Sequence, residues 1–337
     1  VSRKSMPKQF VQLVGEKTLF QQACGRCADT GFASPIIITC ADYRFIAAQQ
    51  LAEMGIEPTA VLLEPEGKNT APAILAAASY LQHQDAGGLM VVMPSDHYIP
   101  DEVAFKAMLT RSVSSALDGQ ILTFGVVPDR PETGYGYIEA AEISDVQIVM
   151  PVQAFHEKPD EARAQNMLKS GRHLWNAGIF MATAQSFVEA GKRFVPDMAR
   201  LTEQAVAKAS SDLDFLRLET ESWAMITGDS VDYALMEKAQ NISVVRFSGS
   251  WSDLGDWHAV KRQVGLTNDT LDDAGNFIKG NAVQVDTEQS LLWSETDGQA
   301  LVTAGLSNIA AIAMPDAVLV ADISQAQSVK KLSNSLS

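Results

Sequence analysis

Between residues 35 and 127 short apolar runs alternate with amphipathic stretches, and this alternation restricts the fold more than any other feature of the chain. The run 35–40 (P-I-I-I-T-C) has no polar face, as a strand covered on both sides requires. Further strands are expected at 60–63, 89–93 and 121–127. Helical patterns occupy 43–54, 71–84 and 101–117, and another is expected over 10–28. Such an order predicts an α/β domain, Rossmann-like, with a mostly parallel mixed sheet covered on both faces. Ligands of these sheets sit beyond the carboxyl ends of the strands. The chemistry is therefore expected at Asp42, 64–70, 94–97 and 128–137.

After about residue 260 the pattern changes. Short β-like runs recur at 282–285, 290–293, 300–303, 309–313 and 317–320, with turn formers between them. They predict a small all-β domain, either a β-solenoid or several hairpins. The expected division is 1–262 for the α/β domain and 263–337 for the β domain and tail, a soft expectation for 337 residues. A net charge of −15 argues against a nucleic-acid or anionic-membrane surface. No run approaches the roughly 18 apolar residues of a membrane span, and no signal peptide is visible. Three cysteines are too few for a disulfide framework. Cys24 and Cys27 form a C-x-x-C late in a helical pattern and read as two unrelated thiols. The five histidines, at 83, 97, 156, 173 and 258, show no metal-ligand spacing.

A strand-end pair and a second apolar frame carry the clearest chemistry. In F-H-E-K-P (155–159) Pro159 stops a strand. Glu157 can accept sugar hydroxyls and Lys158 can meet a phosphate. In W-N-A-G-I-F (175–180) Asn176 offers an amide and Gly178 permits close backbone approach. Together they point to a sugar-phosphate site; the alternative is a strand-end ion pair beside an ordinary turn. Asp96, after Ser95 in P-S-D-H, and Asp253 in W-S-D-L-G-D-W are a plausible magnesium pair, or else turn formers and caps. Asp256 reads as a cap. Arg3, Lys4 and Lys8 are a basic cluster suited to phosphate, or a solvated loop. Glu64, Gly67, Asn69 and Thr70 lie in a strand-to-helix loop where Thr70 is expected to cap the helix and its amides to face a base or phosphate. The Gly-x-Gly in R-P-E-T-G-Y-G-Y lacks the dinucleotide fingerprint, and no Walker A motif is present.

In order along the chain, S-R-K-S-M-P-K-Q-F, E-P-E-G-K-N-T-A-P-A-I, P-S-D-H, R-P-E-T-G-Y-G-Y-I, F-H-E-K-P, W-N-A-G-I-F, D-Y-A-L-M-E-K, W-S-D-L-G-D-W and P-D-A-V-L-V-A-D resemble the bacterial mannose-1-phosphate guanylyltransferases, or GDP-mannose pyrophosphorylases. The resemblance runs from residue 1 to about 332. It implies transfer of GMP from GTP to mannose 1-phosphate, giving GDP-mannose and pyrophosphate with Mg²⁺. It further implies metal ligation by Asp96 and Asp253 and a triphosphate contact by Lys8. Arg3, Glu64, Gly67, Asn69, Thr70, Ser95 and Asp96 are implied at the nucleotide. Lys158 is implied at the sugar phosphate, and Glu157, Asn176, Gly178 and the loop Tyr135, Gly136, Tyr137 at the sugar. A cytoplasmic homodimer serving polysaccharide synthesis, with a β-helix-like C-terminal domain, completes the expectation. The family opens with a Gly-rich loop of the type L-A-G-G-x-G-T-R-L-W-P, and this sequence begins just after it; a molecule truly lacking that loop is expected to be only weakly active. Two other readings stay open: a transferase for another sugar or base, and a non-catalytic nucleotide-sugar-binding homologue.

Overall fold

A computed structural model describes residues 6–28, 31–85, 87–143, 149–266, 271–296, 298–315 and 317–328. Its elements in chain order are α1 (Leu19–Gly25), β1 (Ile36–Cys40), α2 (Arg44–Glu53), β2 (Ala60–Glu64), α3 (Thr70–Gln84), β3 (Leu89–Val92), α4 (Glu102–Leu117) and β4 (Ile121–Val126). There follow β5 (Tyr137–Ala140), β6 (Val149–His156), α5 (Glu161–Ser170), β7 (His173–Thr183), α6 (Ala184–Phe194), α7 (Pro196–Ala207), β8 (Ser210–Asp212), β9 (Phe215–Arg217), α8 (Thr220–Ala224) and β10 (Ile242–Phe247). The chain continues through α9 (Trp257–Leu266), β11 (Phe277–Gly280), β12 (Ala282–Val285), β13 (Leu291–Ser294), β14 (Leu301–Ala304), β15 (Ile309–Met314) and β16 (Ala317–Asp322).

Two compact units interleave along the sequence. One holds the chain up to Gln22, Ser95–Tyr98 and everything from Ser252 onward; the other holds Ala23–Pro94 and Ile99–Trp251.

The larger unit carries two sheets. In one, β1, β2 and β9 run parallel and β8 pairs antiparallel at the edge. The other has the order β3-β7-β4-β10-β6-β5, with β7 also bonded to β5. Of its pairs only β4–β10 is parallel; β7 lies antiparallel between β3 and β4. The sheet is mixed, with fewer parallel pairs than strand–helix alternation suggests, because β7 separates the two strands that α4 connects. Every residue of β4 is buried, as its unbroken apolar run requires. Gly125 is needed there: a Cβ would lie 2.7 Å from the Leu174 side chain and 2.9 Å from that of Val244.

In the smaller unit the helix expected over 10–28 shrinks to α1. Gly15 turns the backbone left-handed at φ 75°. Thr18 and Gln21 then exchange side-chain-to-backbone hydrogen bonds of 3.1 and 3.2 Å, a capping box that starts the helix at Leu19. The C-terminal strands coil rather than form hairpins: β11, β13 and β15 stack in parallel, as do β12 and β14, and only β16 returns antiparallel. Trp293, Ala310 and Ile312 point inward against Trp257, Val260 and Val264 of α9. Buried Asn276 bridges two turns of the coil, donating to Thr287 O at 2.6 Å and accepting from Ser290 N at 2.9 Å. The C-x-x-C is inert in this fold: Cys24 is a free thiol whose pKa burial pushes up to about 12. Among the described residues no helix is long and apolar enough to cross a membrane.

Gly125→Ala is expected to destabilise the protein by about 1–3 kcal/mol through overpacking; a lowered urea midpoint with unchanged slope is the measurement.

Candidate active site

The half-buried amide of Asn176 organises the larger unit's functional residues. Its Nδ2 donates to Asp232 Oδ1 at 2.7 Å, and its Oδ1 accepts from Gly178 N at 3.1 Å and Thr123 Oγ1 at 3.3 Å. Asn176 N also donates to Gly136 O at 2.8 Å. This bonding accompanies a bulge: the β4–β7 register shifts between Thr123 and Gly125, and Gly178 takes φ 65°. Glycine is required at 178 for that conformation. Glu157 and Lys158 follow directly on β6. Their side chains pair at 2.8 Å, with the carboxylate mostly buried and the ammonium exposed. The hydrogen bond to Glu157, outweighing burial, holds the Lys158 pKa above its ordinary value. Lys158 is also held left-handed at φ 45°, a strained geometry for a side chain of this kind.

Asp232 belongs to this group, and sequence reasoning passed over it. It begins a π-helical turn, Asp232–Met236, a form frequent at functional sites. Burial, with Glu157 nearby, raises its pKa. Its signal was present in D-Y-A-L-M-E-K, but no spacing ties that motif to Asn176, 56 residues earlier.

The loop at 135–137 is anchored by packing. The Tyr135 ring is buried edge-on between Trp175 and Trp251, 5.2 and 5.0 Å away. Tyr137 is wholly buried and its hydroxyl accepts from Glu132 N at 2.9 Å. Both rings pack in the core beneath the sheet. Gly136 lies against Glu157: a Cβ there would fall 2.5 Å from Glu157 Oε2.

At the end of β2, Glu64 is buried and its Oε1 has no hydrogen-bond partner. Desolvation raises its pKa from 4.5 to about 7. The α3 cap is Asn69, not Thr70: Asn69 Oδ1 accepts from Thr70 N at 2.8 Å from a left-handed backbone at φ 70°. An amide suits that conformation better than a β-branched threonine. Thr70 Oγ1 instead accepts from Val231 N at 2.9 Å, tying the helix start to the segment that leads into Asp232. Gly67 has room for a side chain, since a Cβ would reach Cys40 Sγ only at 3.9 Å.

In the smaller unit Tyr98 and Ser252 form an antiparallel bridge, exchanging backbone hydrogen bonds of 2.9 and 3.0 Å. The bridge sets the turn holding Ser95 and Asp96 beside the segment holding Asp253. Lys8, nearly buried on a 3-10 turn, reaches Asp96 Oδ2 at 2.8 Å and donates to Asp253 O at 2.5 Å. Burial would raise the Asp96 pKa, but His97 and Lys8 together bring it below the ordinary value, so the group is an anion. The Asp253 carboxylate accepts from Gly255 N at 3.0 Å. Asp256 caps α9 through Ala259 N at 2.8 Å, as expected. Arg3 lies outside the described residues.

The nucleotidyl transferase family matches residues 1–265, and a MannoseP isomerase/GMP-like β-helix domain matches residues 280–336. The chain is 38% identical over 332 residues to the xanthan biosynthesis protein XanB of Xanthomonas campestris pv. campestris, covering 98% of this chain and 69% of that protein. It is 36% identical over 337 residues to a mannose-1-phosphate guanylyltransferase of Escherichia coli, covering 98% of this chain and 69% of the relative. A crystal structure from Thermus thermophilus, described as a mannose-1-phosphate geranyltransferase, superposes with a TM-score of 0.82 at 28% identity, over 99% of this chain and 93% of the other.

Glu64 yields a pH prediction. Between pH 4.5 and about 7 the folded chain holds a proton on Glu64 that the unfolded chain has lost, so this group's stabilisation is lost as pH rises. A shift of that size corresponds to about 3 kcal/mol. Glu64→Gln removes the dependence, and denaturation at pH 5 and pH 8 is expected to show the variant gaining on the parent only at the higher pH.

Proposed function

The chain belongs to the nucleotidyl transferase family, and from that premise we propose that it is a mannose-1-phosphate guanylyltransferase, transferring GMP from GTP to mannose 1-phosphate with release of pyrophosphate. The observation that carries this reading is identity of 36% to a relative of that name along nearly the whole chain, joined to a lysine–carboxylate–amide group suited to a sugar phosphate.

A sugar phosphate is mostly dianionic at neutral pH and attacks without a strong base. The chain's task is then to position anions and offset their charge. Lys158 serves as cation for the sugar phosphate, kept charged by Glu157. Glu157, Asn176 and Asp232 provide acceptors and an amide for sugar hydroxyls, and Gly136 lets the sugar lie close to the backbone. Lys8 carries positive charge to the triphosphate. Glu64, with its unpartnered oxygen, fits the N–H edge of a guanine, where two donors would relieve its desolvation. Magnesium fits Asp96 and Asp253: both offer hard oxygens, and this ion takes one or two protein carboxylates with phosphate oxygens and water. When bound it would supply charge neutralisation on the departing pyrophosphate.

The C-terminal coil supports a homodimer. Val283 and Val302 are cross-strand neighbours on β12 and β14, and both are more than half exposed, as are Val285, Val318 and Val320. A second copy seated on the β12–β14 sheet would remove Val283, Val285 and Val302 from water. A cytoplasmic enzyme feeding polysaccharide synthesis agrees with this reading.

Two measurements test it. Lys158→Ala and Asp96→Asn are each expected to cut pyrophosphate release from GTP and mannose 1-phosphate by roughly 100-fold or more with the circular dichroism unchanged; parental turnover in either would sink its role. Val302→Glu is expected to sediment as a monomer where the parent sediments as a dimer.

A further inference from the structure

Among the described residues, one group of three histidine, cysteine or acidic side chains brings its ligand atoms within 4.8 Å of one another: Glu139, His156 and His173. They come from three strands. Central β5 carries Glu139, which pairs directly with His173 on β7. On the other side β6 pairs Tyr137 with His156 and Glu139 with Ala154, so His156 sits diagonally beside Glu139 on the same face. His156 Nε2 and His173 Nε2 lie 3.7 and 4.0 Å from the same oxygen, Glu139 Oε2. Arg172 takes the other oxygen, Oε1, at 3.0 Å.

His173 has a partner on its far nitrogen: Ser170 Oγ lies 2.7 Å from Nδ1 and 2.7 Å from Met167 O. With the imidazole proton on Nδ1, Nε2 keeps a lone pair 4.0 Å from Glu139 Oε2, and a cation could be shared by the two. Such an outer hydrogen bond on the far nitrogen is how metal-ligating histidines are held.

We propose that Glu139, His156 and His173 form a binding site for a divalent transition-metal ion of the zinc class, separate from any magnesium held by Asp96 and Asp253. Imidazole with carboxylate suits zinc, cobalt or nickel, whereas magnesium prefers all-oxygen shells. Bonds of about 2.0–2.1 Å in a tetrahedral ion place ligand atoms about 3.4 Å apart, so small side-chain rotations close the observed spacings. Three protein ligands leave a fourth position for water. Occupancy cross-links β5, β6 and β7. Gly136 immediately precedes the first of these strands and Glu157 immediately follows the second, so the ion stiffens the support of the sugar-phosphate group.

The test is calorimetric titration of the chelator-stripped full chain with Zn²⁺, and with Mg²⁺ for comparison, followed by visible absorption of the Co²⁺ form. One Zn²⁺ per chain is expected, with no Mg²⁺ competition and with cobalt d–d bands free of thiolate charge transfer. Glu139→Gln and His156→Gln, both at partly exposed positions, are expected to abolish the site while keeping the parental circular dichroism. Ser170→Ala, which removes the partner of His173 Nδ1 together with the hydroxyl's bonds to Met167 O and Arg172 N, is expected to weaken it by about 10–100-fold. Absence of Zn²⁺ binding by the parent overturns the proposal. So does binding that persists in both glutamine variants, or a thiolate charge-transfer band, since either places the ion elsewhere.

Discussion

The half-buried amide of Asn176 is the constraint on which the larger unit's site depends. An amide in a sheet interior must find partners for its donors and its acceptor. Here it finds them in Asp232, Gly178 and Thr123, which lie on three separate segments. Satisfying the amide goes with the bulge in β7 and with glycine at 178. It also locates Asp232 at the start of a π-helical turn. Glu157 then lies against Gly136, whose backbone is bonded to Asn176 in turn. Replacing this amide by an apolar group would leave the half-buried Asp232 without its amide partner.

Electrostatics follow a related logic in both units. The chain carries a net charge of −15, yet its proposed substrates are polyanions. The sequence concentrates no broad basic surface. Instead individual lysines are fixed by carboxylates: Lys8 by Asp96, Lys158 by Glu157. Each carboxylate orients its lysine, and Glu157 also holds the Lys158 pKa above its ordinary value. Pairing of this kind trades long-range attraction for position, which suits a reaction governed by alignment.

Much of the fold was legible in the sequence because continuous apolar runs have few other uses. The expected strands at 35–40, 60–63, 89–93 and 121–127 match β1 to β4 within a residue or two, and the five short runs after 280 match β12 to β16. The helix over 10–28 failed because its apolar spacing outlasted the helix; Gly15 and the Thr18–Gln21 box were local signals that outrank periodicity. Glu157–Lys158 were legible as a strand-end pair and Asn176–Gly178 as polar and small residues inside an apolar frame. The packing of Tyr135 was not legible: an aromatic in a Gly-rich loop shows its burial only once the neighbouring tryptophans are seen to cover it. Thr70 lost the cap to Asn69 because the cap position needed a left-handed backbone.

The sequence by itself determined the class of fold, the two kinds of unit and the pairs of residues that act as neighbours, since these rest on short-range pattern and local chemistry. Tertiary structure alone decided what long-range pairing creates. Lys8 meets Asp96 and the backbone of Asp253, 245 residues away, because a two-residue bridge at Tyr98 and Ser252 aligns their segments. Asp232 meets Asn176 through a turn no motif spacing encodes. The histidines at 156 and 173 have no metal-ligand spacing in sequence, and sheet register nonetheless brings both to one oxygen of Glu139. Strand register fixes which side chains share a face, and it is set by packing across the whole sheet, which no local stretch contains.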